Sequence, residues 1–104
     1  MPEPAEAPRR EILVGLDVAD DDAYARYRAR MTPLLEARGG CFRLDLRVGE
    51  LLAGPEGINR VFIISFPDEQ AMRAFFDDPG YARIRVEHFD PAVRATHILG
   101  TVSA

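Results

Sequence analysis

The amino-acid sequence predicts one α+β domain with the element order β-α-β-β-α-β, in which a four-stranded antiparallel sheet carries its helices on one face. Two observations support this prediction. Four short runs rich in apolar and β-branched residues are separated by turn signals or by stretches whose apolar residues recur at helical spacing. A length of 104 residues also allows a single core and no second domain.

The chain begins with a Pro/Ala/Glu-rich stretch that has almost nothing to bury. We therefore expect residues 1–9 to form a disordered tail and residues 10–104 to form the domain. The tail lacks the basic start and the apolar run of a secretory signal. The β-branched-rich run Arg10–Val18 predicts the first strand.

The first helix is predicted between a capping aspartate and a pair of glycines. Asp20 is typical of an N-cap, and Gly39-Gly40 supplies the left-handed residue that often follows a helix. Pro33 is expected to interrupt the helix, with Thr32 capping the restarted turn. The apolar residues that fall on one face of this helix are Tyr24, Tyr27, Met31, Leu34 and Leu35.

The second strand is predicted over Cys41–Val48, where apolar and polar residues alternate. Gly49 is interpreted as a bulge or kink, after which Glu50–Leu52 continues the strand. Residues 54–57 then form a hairpin-type connection. The alternation predicts a common face for Phe42, Leu44, Leu46 and Val48.

The second half of the chain predicts two strands around a second helix. The continuous apolar run Arg60–Phe66 is typical of a strand covered on both faces, and residues 95–102 form the last strand. Asp68 is the predicted N-cap of the helix between them. The inward stripe of that helix is expected to be Ala71, Met72, Phe75 and Phe76.

A further helical segment is predicted to begin at Asp78-Pro79, because proline is favoured in the first turn of a helix. Tyr81, Ile84 and His88 follow at spacings of i, i+3 and i+7. This spacing predicts that the three side chains share one face of the segment.

This element order is that of the ferredoxin-like split β-α-β fold, whose helices pack on the same face of the sheet. The other face remains open, yet the predicted strands carry apolar residues on both faces. An exposed apolar sheet face usually marks an interface. We therefore expect a homodimer that closes two sheets face to face into a dimeric α/β barrel.

Several short motifs, in a fixed order, resemble one family of small bacterial proteins. They are Asp20…Tyr24-x-x-Tyr27, Pro33-Leu34-Leu35…Gly39-Gly40, Gly49-Glu50…Gly54, Asn59-Arg60, Phe66-Pro67-Asp68 and Ala74-Phe75-Phe76…Pro79-x-Tyr81. They span most of residues 10–102, and on them the chain resembles the DUF1330 family of the dimeric α/β-barrel superfamily. The resemblance implies the fold and dimerisation, and it implies no particular activity because the family has none established.

Charge and cysteine content restrict the partners and the compartment. A net charge of −4 gives no general attraction to nucleic-acid phosphates or to an acidic membrane surface, so neither partner is expected. No apolar stretch approaches the roughly 20 residues that cross a bilayer. The single cysteine, Cys41, cannot form an intrachain disulfide, which predicts a cytoplasmic location.

No residue pattern indicates a cofactor or a metal. All 13 basic residues are arginine, so no lysine is present for a Schiff base or for pyridoxal phosphate. His88 and His97 lie on different predicted elements, and Cys41 has no Cys-x-x-Cys partner, so no zinc-site spacing is present. The glycine-rich loops that bind phosphates are also missing. We expect neither a cofactor nor a metal.

The aromatic residues of the predicted helices favour a small-molecule site in a cleft between helices and sheet. The candidate ligand-binding residues are Tyr27, Glu50, Arg60, Phe75, Tyr81 and His88. The competing interpretation is structural. In that interpretation the aromatic residues belong to the core, and Glu50 pairs with Arg60 across the hairpin.

Two functions remain open at this point. The first is a dimeric protein that binds a small molecule without catalysis. The second is a cofactor-independent monooxygenase- or isomerase-like enzyme acting on a small aromatic or carbonyl compound, since some members of the superfamily that the chain resembles perform such reactions. In that enzyme a His or Glu is the general base, and Arg or Tyr stabilises the anion. His97 faces either the helix layer or the dimer face, so the sequence leaves its role open.

Overall fold

The computed structural model describes residues 9–102, so the predicted disordered tail lies outside the described residues except for Arg9. The elements, in chain order, are β1 (Arg10–Val18), α1 (Asp21–Ala37), β2 (Cys41–Arg47), β3 (Arg60–Phe66), α2 (Glu69–Phe76), α3 (Pro79–Ile84), a π-turn (Arg85–Phe89) and β4 (Val93–Thr101). The strands form one antiparallel sheet in the order β2-β3-β1-β4. This is the predicted ferredoxin-like fold, which is confirmed.

The hydrophobic core fills the space between the helices and one face of the sheet. Tyr24, Met31 and Leu35 of α1 are almost fully buried, as the helical spacing predicts, and they share one cluster with Leu16 and Phe66 of the central strands. Burial of each large side chain contributes about 1.5–3 kcal/mol to folding. This packing holds α1 against the sheet and positions the residues of both concave sites described below.

The helix ends follow the predicted capping residues. Asp20 and Asp68 each accept a hydrogen bond from the backbone N–H three residues further on, at 3.0 and 2.7 Å. Gly39 adopts a φ of 76°, in the left-handed region. The N–H groups of Gly39 and Gly40 both bond to carbonyls of the last turn of α1, at 2.9 Å. The pair therefore closes the helix by satisfying carbonyls that would otherwise lack partners.

The prediction that Pro33 interrupts the first helix is wrong, because α1 continues through it. Met31 and Leu35, on either side of Pro33, are both buried, so tertiary packing holds both halves of the helix on the sheet. Thr32 does not cap a new turn. Its hydroxyl donates instead to the carbonyl of Arg28 one turn earlier, at 2.5 Å.

A bulge in β2 overturns the predicted common face of Phe42, Leu44 and Leu46. Phe42 pairs with one residue of β3 and Leu44 pairs with the next one, so Arg43 is an extra residue in β2. One extra residue exchanges the faces of all residues that follow it. Phe42 and Asp45 therefore face the helices, whereas Leu44 and Leu46 face the opposite side of the sheet.

The second strand is also shorter than predicted, since β2 ends at Arg47. Glu50–Leu52 does not continue it but belongs to the connection of residues 48–59. Near the end of this connection, Ile58 is buried against Gly15 of β1, where a β-carbon would lie only 2.9 Å from Ile58 Cδ1. The absence of a side chain at Gly15 thus lets the connection cover one end of the open sheet face.

Much of the rest of the open face is apolar, and this face carries no helix among the described elements. Residues that strand register places on it include Leu13, Leu44, Leu46, Val61 and Ile63. Leu46 is 52% exposed. His97 pairs with Gly15 across β1 and β4 and therefore also lies on this face, away from the helices.

The segment after α2 begins as predicted, with Pro79 in the first turn of α3. The following π-turn then adds one residue to the helical repeat. As a result Phe89, rather than His88, takes the inward position and packs on Tyr27, with ring centroids 4.9 Å apart. The prediction that Tyr81, Ile84 and His88 share one face is therefore wrong for His88.

None of the helices within residues 9–102 has the length and the apolar character needed to cross a membrane.

We predict that Gly39→Ala lowers the free energy of unfolding by about 1–2 kcal/mol, because the left-handed conformation disfavours a side chain. The added β-carbon would also lie 2.7 Å from Pro67 Cγ. Urea unfolding followed by circular dichroism measures the change. Gly49→Ala is the matched control, since no atom lies within 4 Å of the β-carbon position there. Equal unfolding midpoints for the two variants would contradict the assignment of Gly39 as the helix-terminating residue.

Candidate functional site

Two concave regions lie on the helix side of the sheet. The first, called the cleft, is a cavity of about 240 Å³ between the sheet and α1, α3 and the π-turn. The second, called the groove, is an open concavity of about 590 Å³ beside the N-terminal half of α1 and the strands β2 and β3. Tyr24 lines both. The cleft is lined by Val14, Leu16, Tyr24, Tyr27, Met31, Phe42, Phe62, Ile64, Phe76, Tyr81, Arg85, Phe89, Thr96 and Ile98.

The main polar feature of the cleft is a pair of hydrogen-bonded tyrosines. The hydroxyl oxygens of Tyr27 and Tyr81 are 2.9 Å apart and buried. Within residues 9–102 neither hydroxyl has another hydrogen-bond partner. Each phenol carries one proton, and the bond between the two tyrosines uses only one of the two protons. One O–H group therefore remains to donate a hydrogen bond to a ligand.

The two tyrosines reach this position from different elements. Tyr27 belongs to the inward stripe of α1, and Phe89 of the π-turn packs against its ring. Tyr81 belongs to α3, whose start is fixed by Pro79, and its ring centroid lies 4.4 Å from that of Phe75. Aromatic packing on both sides thus fixes the orientation of the two hydroxyls.

Burial raises the pKa of Tyr27 above its ordinary value of 10.0, and the hydrogen-bonded hydroxyl of Tyr81 raises the pKa further. The Arg85 guanidinium lowers this pKa, but its effect is smaller than that of burial. Tyr27 is consequently a neutral phenol at physiological pH. It can donate or accept a hydrogen bond, and it is not a base.

Arg85 is the only charged residue that lines the cleft in the described part of the chain. It is the first residue of the π-turn, and its guanidinium carbon lies 4.9 Å from the centre of the Phe89 ring. Its Nε is 3.8 Å from the carboxylate of Asp90. Ile98 of β4, 67% exposed, lies at the margin of the cleft. The arrangement suits a molecule with an apolar body and one or two hydrogen-bond acceptors.

The model of the family described as "Domain of unknown function (DUF1330)" matches residues 12–101. The chain belongs to the DUF1330 family. This confirms the resemblance seen in the sequence motifs. None of the curated proteins matches the sequence.

Solved structures agree with the ferredoxin-like assignment of this DUF1330 chain. A protein of unknown function from Rhodopseudomonas palustris is 25% identical, with a TM-score of 0.73 over 92% of this chain and 84% of that chain. A dabb family protein from Mesorhizobium loti is 18% identical, with a TM-score of 0.66 over 92% of this chain and 97% of that chain. A dimeric ferredoxin-like protein of unknown function from Jannaschia sp. CCS1 is 17% identical, with a TM-score of 0.64 over 93% of this chain and 100% of that chain.

The structure brings together three of the six residues proposed from the sequence. Tyr27, Phe75 and Tyr81 form one aromatic cluster beside the cleft. Phe75, however, is fully buried and does not line the cavity, so its place is in the core. The structural interpretation therefore applies to Phe75, whereas Tyr27 and Tyr81 line the cleft.

The other three predicted residues do not converge on this cluster. Arg60 lies in the groove, with its guanidinium carbon 4.8 Å from the centre of the Tyr24 ring. Glu50 is in the exposed connection after β2, and it is not the ion-pair partner of Arg60. His88 lies beside Glu87, at 3.8 Å, and lines neither concavity.

Arg85, Phe89, Thr96 and Ile98 line the cleft but were not proposed from the sequence. The strand alternation already places Thr96 and Ile98 on one face, so these two could have been found. The inward position of Phe89 depends on the π-turn, for which the sequence gives no signal. Within residues 9–102 no three His, Cys, Asp or Glu side chains form a group that could hold a metal ion.

We predict that stability falls as the pH rises above 10, and that Tyr27→Phe makes this fall less steep. The folded pKa of Tyr27 is raised, so its contribution is fully present below the unfolded value of 10.0 and is lost as the pH rises towards the folded value. In that range the unfolded chain releases the proton while the folded chain keeps it. The free energy of unfolding then falls by up to about 1.4 kcal/mol per pH unit for this group.

Urea unfolding at a series of alkaline pH values gives the slope of the free energy of unfolding against pH for the wild type and for Tyr27→Phe. The substitution also removes the hydrogen bond to Tyr81, which changes the free energy of unfolding by the same amount at every pH. The slopes are therefore compared, not the absolute free energies. Identical slopes for the wild type and Tyr27→Phe would show that Tyr27 titrates normally and is accessible to water.

Proposed function

We propose that this DUF1330 protein binds a small, mostly apolar molecule in the cleft. The observation that carries the proposal is the buried Tyr27–Tyr81 hydroxyl pair in a mostly apolar cavity. Small-molecule sites combine apolar walls with a few fixed polar groups in the same way. The unused O–H of the pair would donate to a carbonyl, hydroxyl or similar acceptor on the ligand.

The dimensions of the cleft restrict the ligand. A cavity of about 240 Å³ is smaller than the roughly 300–1,000 Å³ typical of sites for drug-sized molecules. Aromatic rings form much of its wall, and they favour a flat apolar body. We therefore propose a small aromatic or carbonyl compound, oriented by the tyrosine pair at one end and by Arg85 near the margin.

Binding has more support than catalysis. The alternative, a cofactor-independent monooxygenase or isomerase, needs a general base within hydrogen-bond reach of the ligand. None of the residues found to line the cleft is a His, Asp or Glu, and Tyr27 remains a neutral phenol. The two candidate bases from the sequence, Glu50 and His88, lie outside it. Turnover of a bound compound would favour the alternative.

We further propose that the protein is a homodimer, formed through the open sheet face. Leu46 is about half exposed, and the leucine, valine and isoleucine side chains of this face would be covered by a second sheet. The structural neighbour from Jannaschia is described as dimeric, which agrees with this proposal. The exposed thiol of Cys41 suits a reducing compartment, and we propose the cytoplasm.

We predict that a thermal-shift screen of small aromatic and carbonyl compounds yields a ligand whose affinity depends on the tyrosine pair. Tyr81→Phe removes one hydroxyl of the pair and should weaken binding by about 2- to 10-fold, the effect of one hydrogen bond. Isothermal titration calorimetry with the ligand found in the screen measures the change.

Tyr24→Phe is the matched control for this experiment. Tyr24 also lines the cleft with its ring, but its hydroxyl accepts a hydrogen bond from Arg28 at 3.1 Å instead. Binding should therefore survive in Tyr24→Phe. Wild-type affinity in both Tyr81→Phe and Tyr27→Phe would exclude the tyrosine pair as the ligand-orienting group.

We predict that Leu46→Arg converts the dimer to a monomer, because the substitution places a charge among the apolar side chains of the proposed interface. Light scattering coupled to size-exclusion chromatography measures the mass. Val86→Arg is the control, since Val86 is 66% exposed on the π-turn, away from the open sheet face. A monomeric mass for the wild-type protein would refute the dimer itself.

A further inference from the structure

The groove has a different chemistry from the cleft, although Tyr24 forms part of both walls. Three arginines and two aspartates line it: Arg28, Arg47, Arg60, Asp21 and Asp45. Asp45 is shared between two of the arginines, and Asp21 is also shared between two. The cluster therefore carries one positive charge more than its own carboxylates neutralise.

Arg60 is the least satisfied member of this cluster. Its side chain is only 16% exposed and lies over the ring of Tyr24. Its nearest carboxylate oxygens belong to Asp45 and Asp21, at 3.9 and 4.0 Å, which is beyond hydrogen-bond distance. Within the described residues its guanidinium thus has long-range charge partners without hydrogen-bond acceptors. A largely buried guanidinium gains much from accepting groups placed within direct reach.

Arg47 increases the positive charge at the same point. It pairs directly with Arg60 across β2 and β3, and the bulge at Arg43 places Arg47 on the helix side of the sheet, where Arg60 also lies. Like charges directly opposite one another on a sheet destabilise it. Arg47 is 70% exposed, and its contact with Asp21 at 3.4 Å is correspondingly weak. An anion between the two arginines would relieve this repulsion.

Arg28 gives the groove a rigid wall. Its guanidinium is stacked on the Phe42 ring, 3.6 Å from the ring centre. It donates to Asp45 at 2.7 Å and to the Tyr24 hydroxyl at 3.1 Å. The remaining nitrogen, Nε, is buried and has no hydrogen-bond partner among residues 9–102. Asp45 is therefore held mainly by Arg28, which leaves Arg60 available for another acceptor.

We propose that the groove is a second binding site, for a small oxyanion such as a carboxylate or phosphate group held between Arg60 and Arg47. The planar guanidinium presents paired N–H donors that match two oxygens of such a group. This ligand class is distinct from the apolar molecule proposed for the cleft, and the two sites share only the Tyr24 side chain.

The test titrates inorganic phosphate and malonate separately into the full-length protein, with sodium chloride adjusted to keep the ionic strength constant. Amide chemical shifts of the groove residues and calorimetry report binding. Saturable binding of either probe is expected, and the comparison of the two probes identifies the preferred oxyanion. Arg60→Gln and Arg47→Gln should each weaken binding about tenfold or more, because each loses a charged hydrogen bond.

Two controls keep the outcome decisive. Arg94→Gln removes an arginine that pairs with Asp17 outside the groove, and it should bind the probe like the wild type. Tyr81→Phe alters the cleft alone and should also leave anion binding unchanged. If circular dichroism shows that Arg60→Gln is unfolded, the affinity of the Arg47→Gln variant, whose substituted residue is exposed, tests the proposal. A response that sodium chloride reproduces, or wild-type affinity in the folded variants of both groove arginines, would overturn the proposal.

Discussion

The pairing of β2 with β3 is the constraint on which both sides of the sheet depend. Because Arg43 is an extra residue, Asp45 and Arg47 face the helices, and Leu44 and Leu46 face the open side. Without the bulge the two leucines would face the helices, and the charged pair would lie on the proposed dimer surface. One inserted residue therefore places Asp45 and Arg47 in the groove and the two leucines on the open face at the same time.

The π-turn likewise decides which side chains of the segment after α3 face the cleft. A π-turn adds a residue to the helical repeat and makes poorer hydrogen bonds than an α-helix, so it persists where packing compensates. Here the compensation is the burial of Phe89 against Tyr27. Arg85, four residues after Tyr81, already lies on the same helical face, and the phase shift that follows leaves His88 outside the cavity. The cleft thus gains a cation and aromatic surface in place of the imidazole that base catalysis would need.

The sequence predicts the structural features that depend on residue spacing within one segment. It does not predict the features that depend on contacts between segments. The bounds of β1, the caps at Asp20 and Asp68 and the inward position of Tyr27 all follow from residue spacing, and the structure has them. The bulge at Arg43 and the π-turn are set by contacts with other elements, so periodicity within one segment cannot reveal them. The errors at Glu50 and His88 follow from the length of the connection after β2 and from the π-turn, respectively.

The groove is positively charged, whereas the chain as a whole has a net negative charge. This difference affects which anions the proposed site would select. At physiological ionic strength charges more than about 8 Å apart are largely screened. A small anion in the groove would therefore interact mainly with Arg60 and Arg47, whereas an extended polyanion would also meet the surface of a chain with a net charge of −4. The arginine cluster and the acidic remainder of the surface would together favour a small anion in the proposed site over an extended polyanion.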